Sequence, residues 1–304
     1  MLRILLGLFC GCWVTGVCTP GQAAEPARLT AVENEQGVTI LEGIQPVMTY
    51  QRSTTSLSGK WPRAHYVHPL YGLDGEVLSE DFPQDHRHHR GIFWAWHQVL
   101  VDGQPQGDAW ACVDFQWDVQ DVQVATAEDH IQLSTTTLWK SPALRDEQGE
   151  PRACVREETS LRVHPTSQGV RWIDFDIQLW ALLEKVSLGG SDDDKGYGGF
   201  SARVKLYPET QFLSAGGVVE PQFGAVSAGN WLDIRGPAGG VVIVQHPDNP
   251  GFPQPWILRS SRSMQNPAYP GRQPVQLSMT QPLRLRYRLG IYLQPPPLAA
   301  LEAR

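Results

Sequence analysis

Between Val170 and Leu179 the chain alternates in character at every residue. Ile173, Phe175, Ile177 and Leu179 fall on one face, and Trp172, Asp174, Asp176 and Gln178 on the other. That period of two is the pattern of a strand with one buried and one polar face. From Leu283 to Leu289 the same alternation sets Leu283, Leu285, Tyr287 and Leu289 against Arg284, Arg286 and Arg288. Further strand-length pieces are 37–41, 130–138, 211–214 and 240–245. Between them 29 glycines and 24 prolines recur at short intervals and cut the sequence into short segments. No helical period persists beyond about three turns. Trp180–Val186 is the best candidate for a short helix. The pattern therefore predicts an all-β protein: one large two-sheet β-sandwich over residues 25–304, with long loops and no internal repeat.

The first residues follow a different rule. Arg3 precedes an apolar run from Ile4 to Val17, and small and polar residues follow up to Ala24. This order predicts a secretory signal over residues 1–24, and hence a periplasmic or secreted protein. The run is too short and Gly-rich for a membrane span. Cys10, Cys12 and Cys18 raise a lipoprotein reading, but Phe9 and Val17 fit a lipid-attachment pattern poorly. Cys112 and Cys154 remain in the mature chain; they either pair or stay as two buried thiols, and the sequence leaves both open. The net charge of -7 and the absence of a Lys/Arg-rich run argue against nucleic acid as a partner.

Candidate chemistry gathers in four stretches. Asp81 to Gly91 holds three of the nine histidines within four positions. If that segment were extended, His86, His88 and Arg90 would share one face, and Asp85, Arg87 and His89 the other. Imidazoles beside a guanidinium suit a sugar-like or anionic ligand, general acid–base catalysis, or a metal. A His-x-His pair on a β-sandwich strand can hold a metal if a further ligand follows closely. The segment Gly91–Trp96 supplies none, so a metal is not the preferred reading. If one binds, His86 and His88 hold it, and no cofactor is assigned. Upstream stand His65, His68 and Tyr71, the last two ahead of a Gly72–Gly75 turn that could fold His68 toward His86 or His88. For His65 a structural role is favoured.

Downstream, Ser191–Phe200 places Lys195 and Tyr197 among glycines that allow close backbone approach. The strand-like Val241–Val244 delivers His246 and Asn249 to a loop at a sheet end, where function concentrates. Among eleven tryptophans, Trp94, Trp96 and Trp110 are candidates for stacking on a sugar ring, though each taken alone fits a core position better.

Taken together, 66–75, 85–96, Trp110, 196–200 and 246–250 resemble an exported bacterial family usually labelled "methane oxygenase PmoA-like". A membrane methane monooxygenase subunit needs several transmembrane helices, and no such run follows the signal. What the resemblance implies is a β-sandwich protein from bacteria rich in polysaccharide-degrading systems, similar in architecture to the galactose-mutarotase-like super-sandwich. These readings predict an exported carbohydrate-active enzyme of hydrolase, lyase or epimerase type. His86, His88, Tyr197 and Lys195 would carry the catalysis. His68, Tyr71, Asp85, His89, Arg90, Trp94, Trp110, His246 and Asn249 would bind the carbohydrate or another small polar substrate. A non-catalytic carbohydrate-binding protein and a metal-dependent oxygenase or hydrolase are the alternatives.

Overall fold

The structure, a computed structural model, describes residues 28–297 and residue 301. The expected signal segment lies outside these residues. Every named element is a strand. Six strands form the smaller of two main sheets, in the order Leu29–Glu33, Gly37–Glu42, Gln45–Gln51, Tyr66–Leu70, Ile92–Trp96 and Gly198–Ala202. Nine form the larger, in which Gln116–Thr126, Ile131–Arg145, Pro151–Val163, Val170–Ala181 and Leu283–Tyr292 run side by side. The larger sheet continues through Gly239–Gln245, Trp231–Gly236 and two short strands. A four-stranded sheet, including Gln98–Val101 and Val186–Gly189, stands beside them.

The alternation read from the sequence sets how the two large sheets meet. Ile173, Phe175, Ile177 and Leu179 are all buried, as are Leu285, Tyr287 and Leu289 on the adjoining strand. Burying each such side chain stabilises the fold by about 1.5–3 kcal/mol. Aromatic contacts close the layer between the sheets. Phe200 stacks on Tyr287 at 4.5 Å and meets Phe175 edge-on at 5.1 Å. Trp96 meets Trp139 at 5.7 Å. One continuous apolar core therefore joins the sheets.

The polar faces point away from this core. Asp174 pairs with Arg288, Asp176 with Arg284, and Asp248 with Arg286, forming a charged ladder across the outer face of the larger sheet. Trp180–Val186 is not a helix. Ala181 ends one strand and Val186 begins the next, with a tight turn at Glu184–Lys185 between them. Lys185 takes the left-handed conformation there, at φ 56°. Cys112 and Cys154 are free, buried thiols. Among the described residues, no helix is long and apolar enough to cross a membrane.

Candidate functional site

The strand Ile92–Trp96 separates two polar networks. Its inward residue Trp94 sends its indole N–H to Glu157, deep between the sheets. Glu157 also accepts from Trp139 Nε1 at 2.8 Å and Thr159 Oγ1 at 2.6 Å. His65 Nε2 lies 2.6 Å from the same carboxylate, and His65 Nδ1 lies 2.6 Å from the Tyr50 hydroxyl. Both Glu157 and His65 are sealed from solvent. Burial would raise the Glu157 carboxyl, but the His65 imidazole and the hydrogen bonds from Thr159 and Trp94 hold it below its ordinary range. This network is saturated and closed. It also explains why Trp94 is core: its ring packs on Phe175 and its one donor is spent on Glu157.

Outward, the same strand presents Phe93 and, two residues past Ala95, His97. The loop before it is a turn and not extended, so the two-face division that an extended chain would give does not arise; the His89 amide bonds to the His86 carbonyl at 2.9 Å. The turn draws the three imidazoles together instead of dividing them between faces. His86 stacks on His89 at 4.7 Å, His88 meets His89 edge-on at 4.6 Å, and His86 and His88 are 5.7 Å apart. Gly91 lets the loop enter the sheet. At φ +58°, a Cβ there would lie 2.1 Å from the Val67 carbonyl oxygen. Only glycine fits such an approach.

Arg203 anchors the loop. It follows the strand Gly198–Ala202, and its amide bonds to the Gly91 carbonyl at 2.8 Å. Its guanidinium donates to Glu80 at 2.7 Å and to both Asp85 oxygens at 2.9 and 3.0 Å. Asp85 in turn faces His86 Nδ1 at 2.7 Å. Burial raises the Asp85 carboxyl, but Arg203 and His86 pull it down to about 2. An ionised Asp85 fixes the proton of His86 on Nδ1 and leaves Nε2 as an acceptor. A second pair repeats the design: His97 Nδ1 lies 2.8 Å from Asp108. His88 stands near both pairs. Its burial, with the positive fields of His86, Arg63 and His97, lowers it to about 4. His89 is pushed well below its ordinary value by burial and by the fields of His88, His86, Arg203 and Arg63.

The second stretch joins the first through sheet register. Gly198 pairs with Trp96, so Tyr197 falls opposite His97. Trp110 is layered between them, 5.4 Å from His97 and 5.8 Å from Tyr197, with both rings near parallel. The Tyr197 hydroxyl accepts from Arg259 at 2.7 Å. Lys195 projects between Tyr197 and the exposed Phe223, 5.2 Å from each ring, and pairs with Asp193 at 2.8 Å. Gly196, at φ +62° and pressed against Gly271 and Arg272, allows this loop its tight return.

Of the residues singled out in the sequence, His86, His88, His89, Asp85, Trp110, Tyr197 and Lys195 thus fall in one neighbourhood. Others do not join it. Arg90 is fully buried, and its donors are spent on Asp81, Thr55, Tyr66 and the Trp61 carbonyl. It ties the loop to the sheet and has nothing left for a substrate. His68 Nδ1 bonds to Ser79 Oγ at 2.9 Å, and burial lowers its imidazole. The Gly72–Gly75 turn forms, but it leads Tyr71 into a bridge with Val77 and leaves His68 on Ser79. His246 lies in a cleft of about 390 Å³ on the charged outer face of the larger sheet, beside Arg284, Arg286 and Asp174. Asn249 braces that loop, exchanging hydrogen bonds with the Arg286 backbone at 2.7 and 2.8 Å.

Arg203, Glu80, His97, Asp108 and Arg259 complete the neighbourhood without having been picked out beforehand. His97 was within reach, since alternation from Phe93 through Ala95 puts it on the outer face. Arg203 has a weaker signal, standing three residues past Phe200. Among the described residues, no group of three His, Cys, Asp or Glu side chains converges in a way that could hold a metal ion.

The molecule is an all-β, sandwich-like protein with a histidine-rich loop site on the outer side of its smaller sheet. It belongs to a family described as "Family of unknown function (DUF6807)", whose profile matches residues 37–302. No curated protein matches the sequence.

Proposed function

We propose that this is an exported carbohydrate-active enzyme whose chemistry is proton transfer at the histidine cluster. The observation that carries the reading is the pair of His–Asp couples, His86–Asp85 and His97–Asp108, with His88 near both. In each couple the carboxylate fixes one ring nitrogen and leaves the other free to take or give a proton. His86 acts as the base, oriented by Asp85, and Arg203 keeps that carboxylate ionised. His88, held neutral, is the second acceptor. Tyr197, with its hydroxyl bonded to Arg259, and Lys195 stand at the Trp110 edge as donors to sugar hydroxyls. The half-buried Tyr197 ring, backed by the buried Trp110, is the aromatic surface offered to a pyranose.

Base and acid drawn from imidazoles favour proton abstraction at a sugar carbon, as in lyase or epimerase chemistry. Glycoside hydrolysis ordinarily uses two flanking carboxylates. Here Asp85 and Asp108 are each committed to a histidine. The architectural likeness to galactose-mutarotase-like proteins, where histidines act on the anomeric centre, agrees with this reading by analogy only.

The test is incubation with a panel of poly- and oligosaccharides in D₂O, followed by NMR. Wild type should yield product or incorporate deuterium at a sugar carbon, and His86→Ala and His88→Ala should not. Saturable sugar binding without product or exchange would instead favour a non-catalytic binding protein using the same aromatic face.

A further inference from the structure

Arg63 and Arg90 are equally buried, each with no exposed surface. Arg90 spends its donors inside the protein. Arg63 makes one hydrogen bond, from Nη2 to the Ala109 carbonyl at 2.6 Å, and its Nε and Nη1 have no partner. Its guanidinium is held between two aromatic faces, 4.9 Å from Phe93 and 4.1 Å from Trp117. The indole N–H of Trp117, itself almost wholly buried, is also unpartnered. The Cys112 thiol lies beside Arg63 but is too weak an acceptor to satisfy it.

Both residues stand in the wall of one cavity of about 480 Å³. That volume lies in the range of small-molecule sites. Pro62, Phe115 and Pro142 supply apolar wall, and the exposed Thr54 and Gln116 stand at the mouth. Native proteins seldom leave buried donors without an acceptor, least of all on a charged group. Here three donor atoms on two stacked side chains that line the same cavity lack one; each is covered from solvent, so a ligand reaches them by shifting the Arg63–Trp117 stack. The missing partner is therefore rich in acceptors and negative. Arg63 contributes a single positive charge, and Asp114 at the cavity wall disfavours a dianion.

We propose that this cavity is a binding site for a small ligand carrying one singly charged oxyanion group, a carboxylate or a sulfate ester, received by Arg63 and Trp117. The apolar wall receives the uncharged body of the ligand. The site adjoins the histidine cluster through Arg63, which packs on Phe93 beside His89, but it does not depend on the function assigned to that cluster.

Saturation-transfer NMR titrations at low salt test it, with D-glucuronate, D-glucose 6-sulfate and D-glucose as probes. The two anions distinguish a carboxylate from a sulfate ester. At least one should bind saturably, and glucose at least tenfold more weakly. Trp117→Phe, which keeps the stack and removes the N–H, should weaken the anion severalfold, and Arg63→Lys more. Because Arg63→Lys risks the fold, Thr54→Trp at the exposed mouth is the control, and it should block binding. His88→Ala should leave binding unchanged. The proposal is overturned if neither anion saturates, if glucose binds as well, or if Thr54→Trp and Trp117→Phe both bind like wild type. Loss of binding in His88→Ala with retention in Thr54→Trp overturns it too, by moving the anion to the histidine cluster.

Discussion

The Glu157 network and the histidine cluster lie on opposite sides of the same strand, Ile92–Trp96, and are built on opposite principles. Inside, Glu157 collects donors from His65, Trp94, Trp139 and Thr159, which engage both of its oxygens. Outside, His86, His88 and His89 meet ring against ring; His86 is held by Asp85 and His89 by a long contact from Arg203 at 3.4 Å. The first arrangement holds two sheets together. The second holds His88 and His89 neutral by burial. Histidine is thus a matched member of a buried network at His65, and one of a stacked group of rings in the loop.

The largest expected effect falls on the closed side. Glu157→Leu should cost on the order of 3–5 kcal/mol of stability, because it strands several buried donors at once. His88→Ala removes a half-buried ring that packs on His86 and His89, and should cost about 1 kcal/mol. Urea unfolding midpoints measure both, and equal losses would erase the distinction. On the open side, His86→Ala and His88→Ala should each lower kcat/KM by about 100-fold or more, the usual contribution of a positioned acid or base. Stability should stay near wild type in the same samples.

A smaller effect separates the two by pH. His88 is lowered to about 4 in the folded protein, against about 6.5 in an unfolded chain. Above pH 6.5 neither form carries the proton and its contribution to stability is complete. As pH falls from 6.5 to 4 the unfolded chain gains a proton that the folded one refuses, so stability declines, and below 4 the loss levels off. His89 adds to the same slope. His88→Asn should flatten the dependence of the urea midpoint between pH 6.5 and 4. Asp85 and Asp174, both near 2, act at lower pH. An unchanged slope in His88→Asn would mean that His88 is not held neutral. Smallest of all, Tyr197→Phe should remove one hydrogen bond from Arg259, worth about 0.5–1.5 kcal/mol. It should also reduce turnover only severalfold, as kinetics on the same substrate would show.

The sheets were legible in the sequence wherever one face meets the core and the other meets water. Val170–Leu179 and Leu283–Leu289 fold as their alternation predicts, down to the Asp–Arg ladder outside. At Asp85–Arg90 the rule does not apply, because a turn gives neighbouring side chains no alternating faces. Arg90 and Trp94 were drawn toward the site by composition, whereas their roles are settled by partners far along the chain: Thr55 and Tyr66 for one, Glu157 for the other. Long-range pairing likewise decides Arg203 and Asp85, and the register of Gly198 on Trp96 brings Tyr197 to Trp110. No local spacing encodes these contacts. His246 shows the converse. It sits at a strand end, as expected, but on the far face of the other sheet.

The most direct test of this division uses one substrate and three proteins. Wild type, His86→Ala and His88→Ala would be compared in D₂O for product formation and deuterium incorporation at a sugar carbon. Circular dichroism and the urea midpoint would confirm that each is folded. Turnover by wild type that is lost in both folded variants is the predicted result. Turnover that survives both substitutions would contradict the assignment of the chemistry to the histidine cluster.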